Sequence, residues 1–164
     1  MITMRNFYKY TPQNHPLAGF ALFLMSEDGQ DWYEAQANFA PDTWKIEYEE
    51  NGTIVAAGKD VSAMAPLGHS VSEVESLPEG FSVNGYWRYD NGSIVKDVDK
   101  ITQNELAGRA SEADKVITVL SSERDAEIIS DDDLARWKAW VAYRKELREL
   151  DVTATDIKWP AKPE

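Results

Sequence analysis

The two histidines are the first candidates in this sequence for acid–base or metal chemistry. His15 and His69 stand far apart, each beside a proline or a glycine, and there is no cysteine. Zinc sites are built from closely spaced histidine and cysteine ligands, so this pattern does not favour one. The sequence also lacks a Walker A loop, a GxGxxG stretch and a nucleophile elbow. It therefore predicts no metal site and no cofactor.

The 29 acidic residues are the next candidates, because paired carboxylates can hydrolyse glycosides or bind calcium. Three consecutive aspartates at 131–133 are better explained as the first turn of a helix, where the helix dipole favours negative charge. The stretch 27–31 lacks the ligand spacing of an EF-hand loop. Sequence alone places no two carboxylates at a working separation. We therefore expect no catalytic residue and a protein that is not an enzyme.

Aromatic side chains are the remaining feature with a functional interpretation. Tryptophan and tyrosine crowd into the short predicted strands, where they either fill a small core or form an exposed surface for a protein partner or a sugar. Both interpretations stay open at this point. The residues predicted to bind a partner are Trp32, Tyr33, Trp44, Tyr86, Trp87, Trp137, Trp140, Tyr143 and Trp159.

The elements that must position these residues change character near residues 97–102. Before that point lie eight of the nine glycines, five of the seven prolines and fourteen of the eighteen aromatic residues. Turn-forming and aromatic residues are typical of short strands, and their absence permits long helices. We predict an α+β protein, with an aromatic-rich antiparallel β-hairpin domain over 1–98. A helical hairpin with an extended Trp-Pro tail follows over 99–164.

Two hairpins are predicted where Asn-Gly separates alternating segments. Trp44–Tyr48 alternates apolar and charged residues before Asn51-Gly52, and residues 85–89 precede Asn91-Gly92 in the same way. A third, weaker hairpin would join a strand within 20–25 to one at 31–34. Residues 63–69 are expected to form a loop, and Ser70–Val74 a further strand.

The second half predicts two antiparallel helices joined by a short link. Thr102 and Glu105 have the spacing of a capping box at the start of the first helix. Ser130 is expected to cap the second helix. The first helix carries an apolar stripe at three- and four-residue spacing, formed by Leu106, Ala110, Ala113, Ile117 and Leu120.

The second helix has a wider apolar face. This face covers more than half of the circumference, and its members are Leu134, Trp137, Trp140, Val141, Tyr143, Leu147 and Leu150. One neighbouring helix cannot cover so wide a face, so a second partner is expected, either the N-terminal half or another chain. The tail 151–164 should be extended, with Trp159 lying back on the helices.

Charge excludes some partners. The formal net charge is −12 and the isoelectric point about 4.6, so phosphate backbones and anionic membrane surfaces repel the protein. The apolar run 17–25 is too short to span a bilayer and is interpreted as a buried strand that ends in a turn. We expect neither nucleic-acid binding nor membrane insertion.

The C-terminal segment resembles the closing signature of the tail-fibre assembly proteins of tailed phages and prophages, with a lambda-like ending. Residues 134–144 read LARWKAWVAYR and residues 156–160 read DIKWP. The N-terminal half is similar to the Mu-type branch of that family, at 26–29, 31–34 and 59–62.

The resemblance implies a chaperone that works in the host bacterial cytoplasm. It would bind the C-terminal tip of a trimeric tail-fibre protein, promote its folding and trimerisation, and in some systems stay on the virion at that tip. The alternative is a permanent receptor-binding component of the tip that recognises a host-surface glycan. Self-association through the helices is left open.

Overall fold

The computed structural model describes residues 1–13, 15–154 and 156–164. The chain divides into two compact units, Met1–Asp97 and Val98–Glu164. Short antiparallel strands build the first unit and two helices build the second, which confirms the predicted α+β class.

Short strands carry the first unit. In the described residues they are β1 (Thr3–Met4), β2 (Tyr8–Tyr10), β3 (Phe23–Met25), β4 (Trp44–Tyr48), β5 (Ile54–Gly58), β6 (Ser70–Val74), β7 (Trp87–Asp90) and β8 (Ser93–Lys96). A central sheet has the order β1-β6-β4-β5, while β2 pairs with β3 and β7 with β8. All the pairings between these strands are antiparallel.

Both Asn-Gly hairpins are confirmed. The β4–β5 connection passes through Gly52 at φ 87°, and the β7–β8 connection passes through Asn91 at φ 46° and Gly92 at φ 88°. At the β7–β8 turn two consecutive residues with positive φ match the twist of a tight hairpin, which explains Asn91-Gly92 there. At the β4–β5 turn Asn51 instead accepts the Thr53 N–H through its Oδ1 at 2.8 Å. The strand at Ser70–Val74 and the loop before it are also confirmed.

The third predicted hairpin is wrong. Only Phe23–Met25 of the apolar run is a strand. It pairs with β2, and residues 31–34 contribute an isolated antiparallel bridge from Asp31 to Met25 rather than a strand. Trp32–Ala35 instead forms a short helix, α1, whose N-cap is Asp31; the Asp31 side chain accepts the backbone N–H of Glu34 at 3.0 Å. The Asp31 carboxylate accepts a backbone N–H of the first turn, a group that has no partner within the helix, and so favours a helix start at this position.

Two apolar clusters hold the first unit. The first gathers around Trp32 and consists of Met4, Phe7, Leu24, Trp32, Ala35, Phe39, Met64 and Val71. The second lies between the central sheet and the β7–β8 hairpin and consists of Ile46, Tyr48, Ile54, Val74 and Trp87. Each cluster therefore contains a tryptophan that was predicted to bind a partner.

Helices α2 (Val98–Asp125) and α3 (Asp131–Glu149) form the second unit. Trp137 Nε1 donates to Ser121 Oγ at 2.9 Å, and Arg144 Nε donates to Asp114 Oδ1 at 2.8 Å, so the helices run antiparallel as predicted. The Ser130 cap is confirmed, because its Oγ accepts the Asp133 N–H at 3.1 Å.

The predicted capping box at Thr102 is wrong. Helix α2 already begins at Val98, so Thr102 lies inside the helix and is buried. Asp99 occupies the first turn, where a negative charge interacts favourably with the helix dipole. The capping pattern had placed the helix start one turn too late.

The close approach at Gly52 gives a first prediction. A Cβ at this position would stand 2.7 Å from the Tyr89 carbonyl oxygen, while Gly92 has nothing within 4 Å. Both glycines have positive φ, so alanine costs about 1–2 kcal/mol at either site, and Gly52→Ala costs roughly 1–3 kcal/mol more through crowding. Urea unfolding of Gly52→Ala and Gly92→Ala measures the difference. Equal losses would contradict the close approach.

Candidate partner-binding surfaces

The structure separates the nine predicted partner-binding residues into three groups. Four are buried: Trp32 (0% exposed), Trp87 (6%), Trp140 (2%) and Tyr143 (2%). Trp44, Tyr86, Trp137 and Trp159 are half-buried. Tyr33 is 52% exposed and is the most accessible of the nine.

Trp32 illustrates why the buried residues are not surface anchors. Its ring makes edge contacts with Phe7, at 5.1 Å between centroids, and with Phe39, at 6.0 Å. Its Nε1 donates to the Met64 carbonyl at 3.2 Å. Because the whole side chain is enclosed and its one donor is satisfied, Trp32 stabilises the core and has no surface to offer a partner.

The wide apolar face of α3 is covered in part within the second unit, while Val141 stays 37% exposed. Trp140, Tyr143 and Leu147 pack with Ala113 of α2, and Trp159 of the tail packs against the same cluster. The chain's own tail therefore covers part of this face, and a further partner for the rest stays a prediction.

Cationic side chains complete the cover of the aromatic rings. The Arg109 guanidinium lies 4.7 Å from the Trp159 ring, and the Arg124 guanidinium lies 4.4 Å from the Trp137 ring. Lys162 bonds Glu112 at 2.5 Å and lies 6.0 Å from the Trp140 ring. These contacts fasten the tail to the helices and place charge over apolar surface.

The buried charged residues Lys45 and Glu73 of the first unit form hydrogen bonds within that unit. Lys45 Nζ donates to the carbonyl oxygens of Ala40, of Thr43 at 3.1 Å and of Lys59 at 3.1 Å. Glu73 accepts the Thr43 hydroxyl at 2.6 Å and two backbone N–H groups. Burial raises the pKa of the Glu73 carboxyl, but these hydrogen bonds outweigh it, so its pKa falls below the usual value.

The histidines have local partners. His69 Nδ1 lies 2.6 Å from Glu47 Oε1, and His15 Nδ1 accepts the Leu17 N–H at 3.1 Å. Within the described ranges, no three histidine or acidic side chains converge as a metal-ligand set. No described helix is long and apolar enough to cross a membrane.

A pocket at β2, β3 and α1 was not predicted from the sequence, except for its member Tyr33. This pocket, hereafter the aromatic pocket, measures about 440 Å³ and is lined mainly by apolar surface, with Tyr10, His15, Phe23, Tyr33, Asp31 and Glu34 in its walls. The Tyr10 hydroxyl donates to Asp31 Oδ2 at 2.6 Å, and this bond raises the pKa of Tyr10 to about 12. The missed signal was the strand at Tyr8–Tyr10, which brings Tyr10 next to Phe23.

The comparisons with known proteins agree with one another. The model of the Caudovirales tail fibre assembly protein family, lambda gpK, matches residues 34–164. Tail fiber assembly protein U of Escherichia phage Mu is 34% identical over 151 residues, which cover 87% of this chain and 85% of the relative. The probable tail fiber assembly protein of Escherichia phage P2 is 33% identical, and the match again covers 87% of this chain and 85% of the relative. A prophage homolog in Escherichia coli K12, TfaR, is 29% identical over 94% of this chain and 84% of its own.

The Glu73 bonds predict a loss of stability in acid. A carboxyl whose pKa is lowered by folding stabilises the protein above its unfolded pKa of about 4.3, and that stabilisation is lost as the pH falls through the folded value. Glu73→Gln should cost about 1–3 kcal/mol at pH 7 and flatten the pH dependence of the melting temperature between pH 3 and 6. Glu75→Gln, an exposed change of the same charge, is the control. An unchanged pH profile in Glu73→Gln would contradict this role.

The buried hydroxyl of Tyr143 predicts a stabilising substitution. Neither Tyr143 Oη nor Trp140 Nε1 makes a hydrogen bond of normal geometry in the described structure, although Glu105 and, after it, the Tyr143 hydroxyl raise the pKa of Arg109. A buried group without such a bond is costly. Tyr143→Phe keeps the ring, which lies 5.7 Å from the Trp140 ring, and should raise the free energy of unfolding by roughly 1 kcal/mol. Tyr48→Phe is the matched control, because the Tyr48 hydroxyl bonds Ser72 at 3.1 Å, and it should destabilise the protein. A loss of stability in Tyr143→Phe, measured by chemical unfolding, would overturn the assignment.

Proposed function

This chain belongs to the tail fibre assembly protein family of tailed phages, and from that premise we propose that it is a chaperone for the C-terminal tip of a trimeric tail-fibre protein. It acts in the host cytoplasm during assembly and works by binding rather than by catalysis. The observation that carries the proposal is the family match over residues 34–164, together with relatives from phages Mu and P2 that are named as tail fibre assembly proteins.

The mechanism rests on the surfaces of an unassembled fibre. Subunits of an intertwined trimer expose strand edges and apolar surface until they meet, and such species aggregate. A partner that covers these surfaces lowers the concentration of chains that can aggregate and leaves more of them available for trimerisation.

The free edge of the central sheet supports this mechanism. Strand β5 is the last strand of the sheet, and its residues, Ile54–Gly58, carry no charge. Strand β7 contacts the start of β5, where Arg88 bridges Thr53 and the Tyr89 N–H donates to the Gly52 carbonyl at 2.8 Å. Trp87 also packs in one cluster with Ile54. An uncharged edge strand is able to accept another strand through backbone hydrogen bonds.

The strong negative charge supports the same function. Residues 1–97 contain six basic and fourteen acidic side chains, a net charge of −8 out of −12 for the chain. Net charge of one sign keeps a complex soluble while its partner is incompletely folded. The charge also favours a partner that presents basic residues.

Co-expression tests the chaperone function. The fibre protein is produced with this chain, alone, or with an unrelated acidic protein of similar size, and the soluble fraction is sized by chromatography with light scattering. We expect soluble trimer only with this chain, because charge alone does not cover the fibre's apolar surface. An equal trimer yield in all three cultures would rule out the proposal.

Retention on the fibre tip is tested separately. Mass spectrometry of purified particles shows whether this chain stays in the virion, and sizing of the isolated protein shows whether it self-associates through its helices. Binding of host-surface glycans by the isolated full chain would favour the second role, that of a receptor-binding component of the tip.

A further inference from the structure

We propose that the aromatic pocket binds the cationic side chain of a lysine or arginine that the partner polypeptide presents. The inference rests on the proposed function and specifies one contact within it. The walls, the carboxylates and the position of the pocket in the chain each support it.

Aromatic rings form the walls of the pocket. The Phe23 ring is at the centre, with centroid distances of 6.2 Å to Tyr10, 4.6 Å to His15 and 6.1 Å to Tyr33, all in edge arrangements. Aromatic rings in the wall of a cavity attract cations, because the ring face carries partial negative charge. The volume of about 440 Å³ is large enough for a long side chain.

The two carboxylates of the pocket, Asp31 and Glu34, have different roles. Asp31 uses one oxygen to cap α1, through the Glu34 N–H, and the other to accept the Tyr10 hydroxyl. Asp31 therefore has a structural role, because both of its carboxylate oxygens already accept hydrogen bonds. The Glu34 side chain is exposed and makes no hydrogen bond or ion pair with other described residues, so its carboxylate is available to a cation in the pocket.

Charge selects a cation over a neutral ligand. The unit that contains the pocket has a net charge of −8, and the pocket itself carries Asp31 and Glu34 but neither lysine nor arginine. A cationic group would gain from the rings and from the carboxylate together. A neutral sugar would stack on the rings and donate hydroxyl hydrogen bonds to the carboxylates, but it would not gain the attraction between opposite charges.

The apolar surface beside the pocket favours a polypeptide as the source of that cation. Tyr8, Leu17 and Tyr33 are about half exposed, and Phe20 is 91% exposed. Exposed apolar side chains next to a pocket are typical of protein interaction sites.

A small probe tests the chemistry of the pocket in the full chain. N-acetyl-lysine methylamide and its neutral counterpart N-acetyl-norleucine methylamide are titrated while NMR follows the ring protons of Tyr33 and Phe23. We expect shifts with the lysine probe only, and a two- to fivefold weaker response, about the effect of one exposed cation contact, in Glu34→Gln. Glu50→Gln, an exposed change of the same charge in the same unit, should match the wild type. Equal shifts with both probes, or with N-acetylglucosamine instead, would overturn the inference.

The fibre complex tests the same pocket in its biological setting. Glu34→Lys should reduce fibre binding, and exchanging the contacting fibre lysine or arginine for glutamate should restore it, with that residue located by photo-crosslinking from position 33. If wild-type protein forms the complex and Glu34→Lys binds equally well, the pocket inference fails while the chaperone function stands. If wild-type protein forms no complex, the chaperone function itself fails, and the probe titration still decides the pocket.

Discussion

Enclosure of aromatic side chains is the constraint on which both units depend. The strands of the first unit are two to five residues long, so each contributes few side chains to a core. Bulky rings compensate, because a single tryptophan buries as much surface as several small residues. Trp32 and Trp87 each occupy one of the two clusters of the first unit, and Trp140 occupies the cluster of the second.

The same constraint explains how the second unit closes. A helix with an apolar face as wide as that of α3 needs more than one neighbour, and the tail provides the additional surface through Trp159. Arg109, Arg124 and Lys162 then lie over the remaining ring surface. This packing is not complete, since Trp140 Nε1 and Tyr143 Oη are buried without a hydrogen bond of normal geometry.

The function that we propose for this molecule rests on its surfaces. The buried ions Lys45 and Glu73 are held by backbone and hydroxyl groups, which fix loop and strand positions. Two features support that proposal: the uncharged, half-buried edge strand β5 and the aromatic pocket with the exposed Tyr33 in its wall. Both suit a protein that covers the incomplete surfaces of a partner, in keeping with its membership of the tail fibre assembly family.

The α+β class, the two Asn-Gly hairpins, the Ser130 cap and the family could all be predicted from the sequence, because each depends on local backbone preference or on a contiguous motif. Tertiary structure decided the rest. Asp31 could begin a helix or a strand, and which rings face inward depends on contacts between distant segments, such as Trp32 with Phe7 and Met64. The aromatic pocket was hidden for the same physical reason: pairing of β2 with β3 brings Tyr10 and Phe23 together, and no local pattern encodes that pairing.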